Sequence, residues 1–267
     1  MASPATPLLV GIGKTVALLL GTVAALYLLL CAWVYATQRG RIYFPTPEVD
    51  HPGAEALWLE SQGEQIKVWA VSRPGPRALI YFGGNADDAA AHIDLFAAAL
   101  PEHSLYLVNY RGYGGSSGRP SESGLAADAR AVYDHVRKAH PHIAVVGRSL
   151  GSGVAVCLAG ERPVERLVLV TPFDSLVNLA KTYFGWLPVG LLLQDRYDSA
   201  RRASDVRLPV LVVIAGEDEI IPRARSLALA ASFRPEQVQV VIVPGVGHNT
   251  LDASPRYLGA VRAFLAD

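Results

Sequence analysis

The chain has 267 residues, of which 51% are hydrophobic, and its 24 Lys and Arg residues balance its 24 Asp and Glu residues. This length and apolar content suffice for a large α/β domain with a sizeable core, which argues against a disordered chain. The charge balance leaves no basic excess to neutralise phosphates, so nucleic-acid binding is not expected.

An apolar run without a charged residue extends from Val16 to Ala36. About twenty such residues cross the ~30 Å hydrocarbon layer as a helix, so the run predicts an N-terminal transmembrane helix within a membrane anchor at residues 1–37. A cleavable signal peptide is the alternative, because Val34-Tyr35-Ala36 resembles a cleavage site, but the run exceeds the usual ~7–15 residues. The basic residues that flank the run are nearly balanced, so the side of the membrane stays open.

Residues 38–55 carry prolines and glycines and are predicted to form a short tether. The remaining domain, residues 56–267, alternates strand and helix patterns. Strands are predicted near 56–60, 65–72, 77–82, 104–109, 142–146, 165–170, 209–215 and 238–243. Helices are predicted near 87–99, 121–139, 150–160, 222–233 and 253–265. This alternation predicts an α/β fold with a mostly parallel, twisted sheet of about eight strands and helices on both faces.

A long connection at about residues 171–208, called the lid segment below, is rich in Phe, Tyr, Trp and Leu. A connection of this length inside a compact domain is usually functional. It is interpreted either as one or two extra helices on the sheet or as a short lid over an apolar substrate pocket, and both interpretations can hold together.

The motif Gly147-x-Ser149-x-Gly151 stands between a predicted strand and a predicted helix. This is the context of a nucleophile elbow, in which a serine occupies a strained strand-to-helix turn. A dinucleotide-binding loop would need a glycine where Ser149 stands, so the nucleotide interpretation is excluded. Ser149 is therefore the predicted nucleophile.

A serine hydroxyl needs a base to take its proton and a carboxylate to hold that base. His248 directly follows the last predicted strand and is the predicted base, whereas the other six histidines lie in predicted helices, in loops or at element ends. Asp218 follows the strand before it, at a carboxyl end where open α/β sheets place their sites, and is the predicted acid. Glu217 and Asp174 remain alternatives.

An acyl-transfer site also needs donors for the developing oxyanion. The backbone N–H of Leu150, directly after the nucleophile, and that of Asn85, in the loop after the third strand, are the predicted donors. This chemistry requires neither a metal nor an organic cofactor.

Several short segments of the chain carry a family resemblance together. They are Ile42-Tyr43-Phe44-Pro45, Gly84-Asn85-Ala86, Asn109-Tyr110-Arg111-Gly112-Tyr113-Gly114, Pro120-Ser121-Glu122-Ser123-Gly124-Leu125, Gly147-Arg148-Ser149-Leu150-Gly151, Pro172-Phe173-Asp174-Ser175-Leu176, Asp195-Arg196-Tyr197-Asp198-Ser199, Asp218-Glu219-Ile220-Ile221-Pro222 and Gly247-His248-Asn249. With them, nearly the whole chain resembles the α/β-hydrolase superfamily, in particular its membrane-anchored Bem46-like branch of the ABHD13 and ABHD17 types, with a serine-aminopeptidase-like domain.

The resemblance implies the same nucleophile, acid, base and oxyanion donors. It also shows two departures. Gly83 replaces a histidine that is usual before the Gly-Asn pair, which puts the support of that loop in question. The loop between Gly216 and Asp218 is one residue shorter than is common, which keeps Glu217 as an alternative acid.

These features predict a membrane-tethered serine hydrolase with a Ser149, Asp218 and His248 triad. Its substrate is expected to be a small-molecule or lipid-like acyl ester or thioester, and related enzymes remove palmitate from proteins. A peptidase or amidase that uses the same triad is one alternative. A non-catalytic, membrane-anchored binding protein is the other.

Overall fold

Strands and helices alternate along the chain in the computed structural model, which describes residues 5–266. The strands form a single eight-stranded sheet. The predicted anchor and the predicted domain therefore extend beyond the described residues, by residues 1–4 and by residue 267. The strands are β1 Glu55–Ser61, β2 Glu64–Val71, β3 Arg77–Phe82, β4 Ser104–Val108, β5 His142–Arg148, β6 Arg166–Val170, β7 Val210–Ala215 and β8 Val238–Val243.

Ten α-helices lie in the described part of the chain. They are α1 Ala5–Thr37, α2 Arg39–Ile42, α3 Ile93–Ala99, α4 Glu122–Val136, α5 Leu150–Glu161, α6 Leu176–Tyr183, α7 Val189–Leu192, α8 Ser199–Arg202, α9 Arg223–Ala230 and α10 Pro255–Ala266. Side chains fix several helix starts, as at α4, where the Ser121 hydroxyl accepts the Gly124 N–H. The predicted helix at 87–99 is a 3₁₀ turn, Ala89–His92, followed by α3.

The strand order is β1-β2-β4-β3-β5-β6-β7-β8. Strands β1 and β2 pair antiparallel, as do β2 and β4, and every other pair is parallel. The predicted α/β-hydrolase fold with a mostly parallel sheet is confirmed. Because the parallel strands end at the same edge, the loops after β3, β5, β7 and β8 meet there.

The core lies on both faces of the sheet. Along β5, Val145 packs on one face and Val146 on the other, as the two-residue period of a strand requires. Helices α4 and α5 cover the first face, and helices α3 and α10 cover the second. Ten of the twelve residues of α5 are buried, and most are small, which lets this helix lie close to the sheet.

Helix α1 contributes little to this core. Its portion Ile12–Thr37, 26 residues long, is long and apolar enough to cross a membrane. Large apolar side chains along it are exposed, with Leu18 at 72% and Leu28 at 66%. A surface of this kind is unusual in water and is ordinary in lipid.

The segment 38–55 contacts the domain along its length. Tyr43 is buried, and its hydroxyl lies 2.8 Å from that of Tyr197. Further along, Glu48 accepts a hydrogen bond of 2.9 Å from the buried Lys67 ammonium. The predicted boundaries at residues 37/38 and 55/56 stay predictions.

The lid segment contains the short helices α6, α7 and α8. Ser175 caps the start of helix α6, because its hydroxyl accepts the Asn178 N–H at 3.0 Å. Several large side chains near α6 and α7 are exposed, among them Phe184 at 51% and Trp186 at 61%. The segment thus contains three short helices, and both its packing on the sheet and its function as a lid stay predictions.

Candidate active site

Ser149 occupies the sharp turn between the end of β5 and the start of α5. Its backbone has φ 50° and ψ −115°, a conformation that is rare for a residue with a side chain. The turn is held because the Ser149 N–H donates to the Val170 carbonyl of β6 at 2.9 Å. The segment has the strand–turn–helix form that a nucleophile elbow requires.

Gly147 and Gly151 permit this turn because they have no side chain, and neither position has room for one. A Cβ at Gly147 would collide with the backbone of Gly151. A Cβ at Gly151 would collide with the Phe82 carbonyl and would lie 2.6 Å from the Gly83 carbonyl oxygen. The start of α5 therefore lies directly against the end of β3 and the loop that follows it.

His248 links the Ser149 hydroxyl to the Asp218 carboxylate through opposite sides of its ring. Nε2 lies 3.1 Å from Ser149 Oγ, and Nδ1 lies 2.9 and 3.0 Å from the two carboxylate oxygens. The Asp218 and His248 side chains are only 2% and 6% exposed. When Nδ1–H donates to the carboxylate, Nε2 is left to accept the proton of the hydroxyl.

The loop after β7 decides which acid reaches the histidine. Asp218 Oδ1 also accepts the N–H groups of Ile220 at 2.9 Å and Ile221 at 2.7 Å, which fixes the direction of the carboxylate. Glu217 is exposed. The Asp174 carboxylate instead accepts hydrogen bonds of 2.7 Å from Asn178 and 3.1 Å from Arg225. Of the three candidate acids, the structure brings Asp218 to His248.

Arg148, inside the serine motif, is a site residue that the sequence did not single out. Its guanidinium donates to the His248 carbonyl at 3.1 Å and pairs with Asp252. Burial acts to lower the pKa of Arg148, but the combined effect of the neighbouring Tyr81, Asp252 and Asp87 is larger and raises it. The guanidinium therefore stays charged. An arginine at the end of an otherwise apolar strand was the signal that could have identified it.

Asp87 organises the loop that follows β3. Its carboxylate accepts the Gly84 N–H and the Tyr81 hydroxyl, each at 3.1 Å, and lies 2.8 Å from His92 Nε2. Burial acts to raise the pKa of Asp87, but His92 and Arg148 lower it below its ordinary value. In the absence of a histidine at position 83, the loop is thus supported by Asp87 and by His92, which the sequence placed in an ordinary helix.

Tyr110 adds a second support, because its hydroxyl donates to the Gly83 carbonyl at 2.7 Å. The Asn85 side chain is occupied by its neighbours: its Oδ1 accepts the Phe44 N–H at 3.0 Å and the Tyr113 hydroxyl at 2.9 Å. This leaves the backbone N–H of Asn85 as the group that it can offer to a substrate.

Leu150 is the first residue of α5, so its backbone N–H has no acceptor within the helix. Asn85, Ser149 and Leu150 all line the same cavity. The structure thus brings both predicted oxyanion donors to the serine, and their function stays a prediction.

This space, called the Ser149 cavity below, has a volume of about 580 Å³, a size typical of small-molecule sites. One side is formed by the residues of the elbow and the Asn85 loop. The opposite side comes from α1 and the lid segment, and includes Leu30, Trp33, Val34, Leu176, Leu179 and Trp186. A second cavity of about 320 Å³, beside Arg77, His142 and Glu165, lies at the other end of the parallel strands and contains none of the predicted catalytic residues.

Comparison with known proteins supports the assignment of the fold. The sequence profile of the α/β hydrolase fold family matches residues 77–202. An uncharacterised protein of Mycobacterium tuberculosis is 40% identical over 255 residues, which cover 88% of this chain and 89% of that protein. The α/β hydrolase domain-containing protein aho-3 of Caenorhabditis elegans is 28% identical over 85% of this chain and 70% of its own length.

Among solved structures, the esterase Pf2001 of Pyrococcus furiosus superimposes with a TM-score of 0.69. The match covers 84% of this chain and 98% of the esterase at 15% identity, a level that speaks for the fold alone. The profile match, the similarity to aho-3 and the sheet topology agree, and the chain belongs to the α/β-hydrolase superfamily.

Proposed function

We propose that this protein is a membrane-tethered serine hydrolase that cleaves acyl esters or thioesters. The observation that carries the proposal is the chain of hydrogen bonds from Ser149 Oγ through His248 to the buried Asp218 carboxylate. Its three members come from separate loops at one sheet edge, and a buried carboxylate aimed at a histidine is the arrangement that activates a serine.

In the proposed reaction, Ser149 Oγ attacks the acyl carbonyl while His248 Nε2 takes the hydroxyl proton. The Asn85 and Leu150 N–H groups would stabilise the negative oxygen of the tetrahedral intermediate. His248 then gives the proton to the departing alcohol or thiol, which leaves an acyl-enzyme. Water, deprotonated by the same histidine, attacks that ester, and the acid is released as Ser149 regains its proton.

The membrane part of the proposal depends on α1. Its apolar length matches a bilayer span, and its exposed aromatic side chains Trp33 and Tyr35 lie at its C-terminal end. Aromatic residues favour the interface between hydrocarbon and water. The Ser149 cavity would then lie beside the bilayer, close to acyl chains that reside there.

Fluorophosphonate labelling tests the nucleophile. We expect the full-length protein to be labelled and Ser149→Ala to lose the label completely, because no other hydroxyl in the described residues is paired with His248. Ser152→Ala is a matched control, since the Ser152 hydroxyl donates to the Ser149 carbonyl and not to the histidine. Labelling that survives Ser149→Ala would refute the proposal, and turnover of aminoacyl amides but not of esters would replace it with an amidase.

Membrane attachment has a separate test. After expression of the full chain, we expect the protein to stay with the membranes through an alkaline carbonate wash. The intact mass should still include Val16–Ala36. A mature chain that has lost these residues would identify them as a signal peptide.

A further inference from the structure

We propose that the Ser149 cavity opens sideways to the bilayer between α1 and the lid segment, so that the substrate is an acyl ester or thioester whose chain enters from the membrane interior. This inference rests on the proposed hydrolase function. It gives α1 a second function, as part of the acyl-binding wall.

The composition of the cavity supports this proposal. Leu30, Trp33 and Val34 lie on one face of α1 at its C-terminal end, and they line the same space as the Ser149 side chain. Leu176, Leu179 and Trp186 of the lid segment continue this largely apolar wall, in which Gln38 and Arg41 are the polar members. A wall of Leu, Val and Trp side chains suits an acyl chain and offers little to a polar peptide.

Polar contacts hold α1 to the lid segment along this wall. The Tyr27 hydroxyl donates to the Trp186 carbonyl at 2.9 Å. Just after α1, Gln38 uses both ends of its amide: Nε2 donates to the Leu192 carbonyl at 2.9 Å, and Oε1 accepts the Gln194 N–H at 2.8 Å.

An ion pair completes the attachment, since Arg39 lies 3.0 Å from the Asp195 carboxylate, whose side chain is only 4% exposed. Helix and lid are therefore joined at several points, and the cavity between them is a defined space.

The depth of these contacts in the bilayer also supports the proposal. Tyr27 precedes Thr37 by ten residues, which is about 15 Å along a helix that rises 1.5 Å per residue. The apolar portion of 26 residues is about 39 Å long, so a ~30 Å hydrocarbon layer centred on it would end about 4 Å before Thr37. Tyr27 and the Trp186 carbonyl would then lie about 10 Å inside the hydrocarbon, where their mutual hydrogen bond satisfies both groups.

The exposed side chains of the lid segment fit the same environment. Tyr183, Phe184 and Trp186, which also line the cavity, are 51%, 51% and 61% exposed, and Leu191, outside the cavity, is 84% exposed. Clustered apolar side chains of this size mark an interaction surface. Because Trp186 is joined to α1, the hydrocarbon that surrounds α1 is the partner that covers them.

Side entry also solves a transfer problem. Each methylene group moved from apolar surroundings into water lowers the partition constant about fourfold, so a long acyl chain is hardly populated in water. A cavity that is continuous with the bilayer removes this step. Short, water-soluble esters can reach Ser149 without it.

The test compares chain lengths on the full-length protein in phosphatidylcholine vesicles. The substrates are 4-methylumbelliferyl palmitate, incorporated in the vesicles, and the corresponding butyrate, added to the water. Val34→Trp should fill the α1 side of the cavity and lower the palmitate-to-butyrate ratio of kcat/KM at least tenfold. Leu28→Trp is the control, because Leu28 is exposed on the opposite side of α1 and does not line the cavity.

A second pair of variants distinguishes filling of the cavity from misfolding of the protein. Leu179→Trp fills the lid side of the same cavity and should have the same effect, whereas Leu191→Trp, at an exposed lid position outside the cavity, should not. An unchanged ratio in both cavity variants, with wild-type hydrolysis that requires Ser149, would overturn side entry and leave the hydrolase proposal intact. Hydrolysis that survives Ser149→Ala would instead overturn the hydrolase proposal itself.

Discussion

The two sides of the Ser149 cavity differ in how their positions are determined. The side with the elbow is determined by backbone packing, since α5 lies so close to β3 that no Cβ fits at Gly147 or Gly151. The side formed by α1 and the lid segment is held by a few polar contacts, between large side chains that are partly exposed. We infer that the first side is built for positional precision and the second for accommodating chains in a lipid environment.

The largest effect is expected on the elbow side, at the acid. Asp218→Asn should lower kcat on the butyrate ester about 10⁴-fold, because an amide cannot hold His248 in the tautomer that accepts the Ser149 proton. Asp174→Asn is the matched control and should stay within about threefold, since Asp174 faces Asn178 and Arg225. Kinetics normalised to folded protein measure both. Equal losses in the two variants would show that Asp218 is not the acid.

A smaller effect is expected on stability, when glycines from the two regions are replaced by alanine. Gly151→Ala should destabilise the protein by about 3 kcal/mol, because its Cβ would collide with the Phe82 carbonyl at the end of β3. Gly21→Ala in α1, where nothing lies within 4 Å of the added Cβ, should change stability by less than about 1 kcal/mol. Thermal unfolding in detergent should show a Tm about 6–12 °C lower for the first variant only. Equal Tm values would contradict the close packing described for the elbow.

The smallest effect concerns pH and the Asn85 loop. The pKa of Asp87 lies below its ordinary value in the folded protein. As the pH falls, the Asp87 carboxylate is therefore protonated in the unfolded chain before it is protonated in the folded protein. Its stabilising effect is complete above the ordinary value of about 3.9 and is lost as the pH falls through the folded pKa. Asp87→Asn should cost about 1–3 kcal/mol at neutral pH, and the difference in Tm from the wild type should narrow below pH ~4.

The exposed Asp94 provides the control for this measurement. Asp94→Asn should leave the dependence of Tm on pH as it is in the wild type. A constant difference in Tm between the wild type and Asp87→Asn across the acid range would show that the Asp87 carboxylate does not contribute in this way.

Much of this architecture was predictable because it depends on local patterns. The β-branched run before Ser149 and the small residues after it predict a strand, a tight turn and a closely packed helix. The sheet topology then brings the site residues together, since loops at the carboxyl ends of parallel strands meet at one edge. The order of Ser149, Asp218 and His248 along the chain therefore sufficed to expect their proximity, although neighbouring acids kept the choice of carboxylate open until the geometry was known.

Other features depend on contacts between residues far apart in the chain, which local patterns do not encode. The hydrogen bond from Tyr27 to Trp186 joins residues 159 positions apart, and each alone is an ordinary aromatic residue in an apolar segment. His92 is similar: its position in a helical pattern says nothing about Asp87, which its ring contacts from the end of the 3₁₀ turn. Segment 38–55 likewise gives no sequence signal for the contact of Tyr43 with Tyr197.

The backbone of Ser149 has a thermodynamic consequence. A residue held at φ 50° and ψ −115° carries strain on the order of 1–3 kcal/mol. A typical domain is stable by only about 5–15 kcal/mol, so this single residue offsets a considerable part of the margin. Selection for stability alone would favour glycine at this position, and the serine is retained at the expense of robustness. The stability contributed by the well-packed sheet beneath the elbow therefore offsets the strain at Ser149.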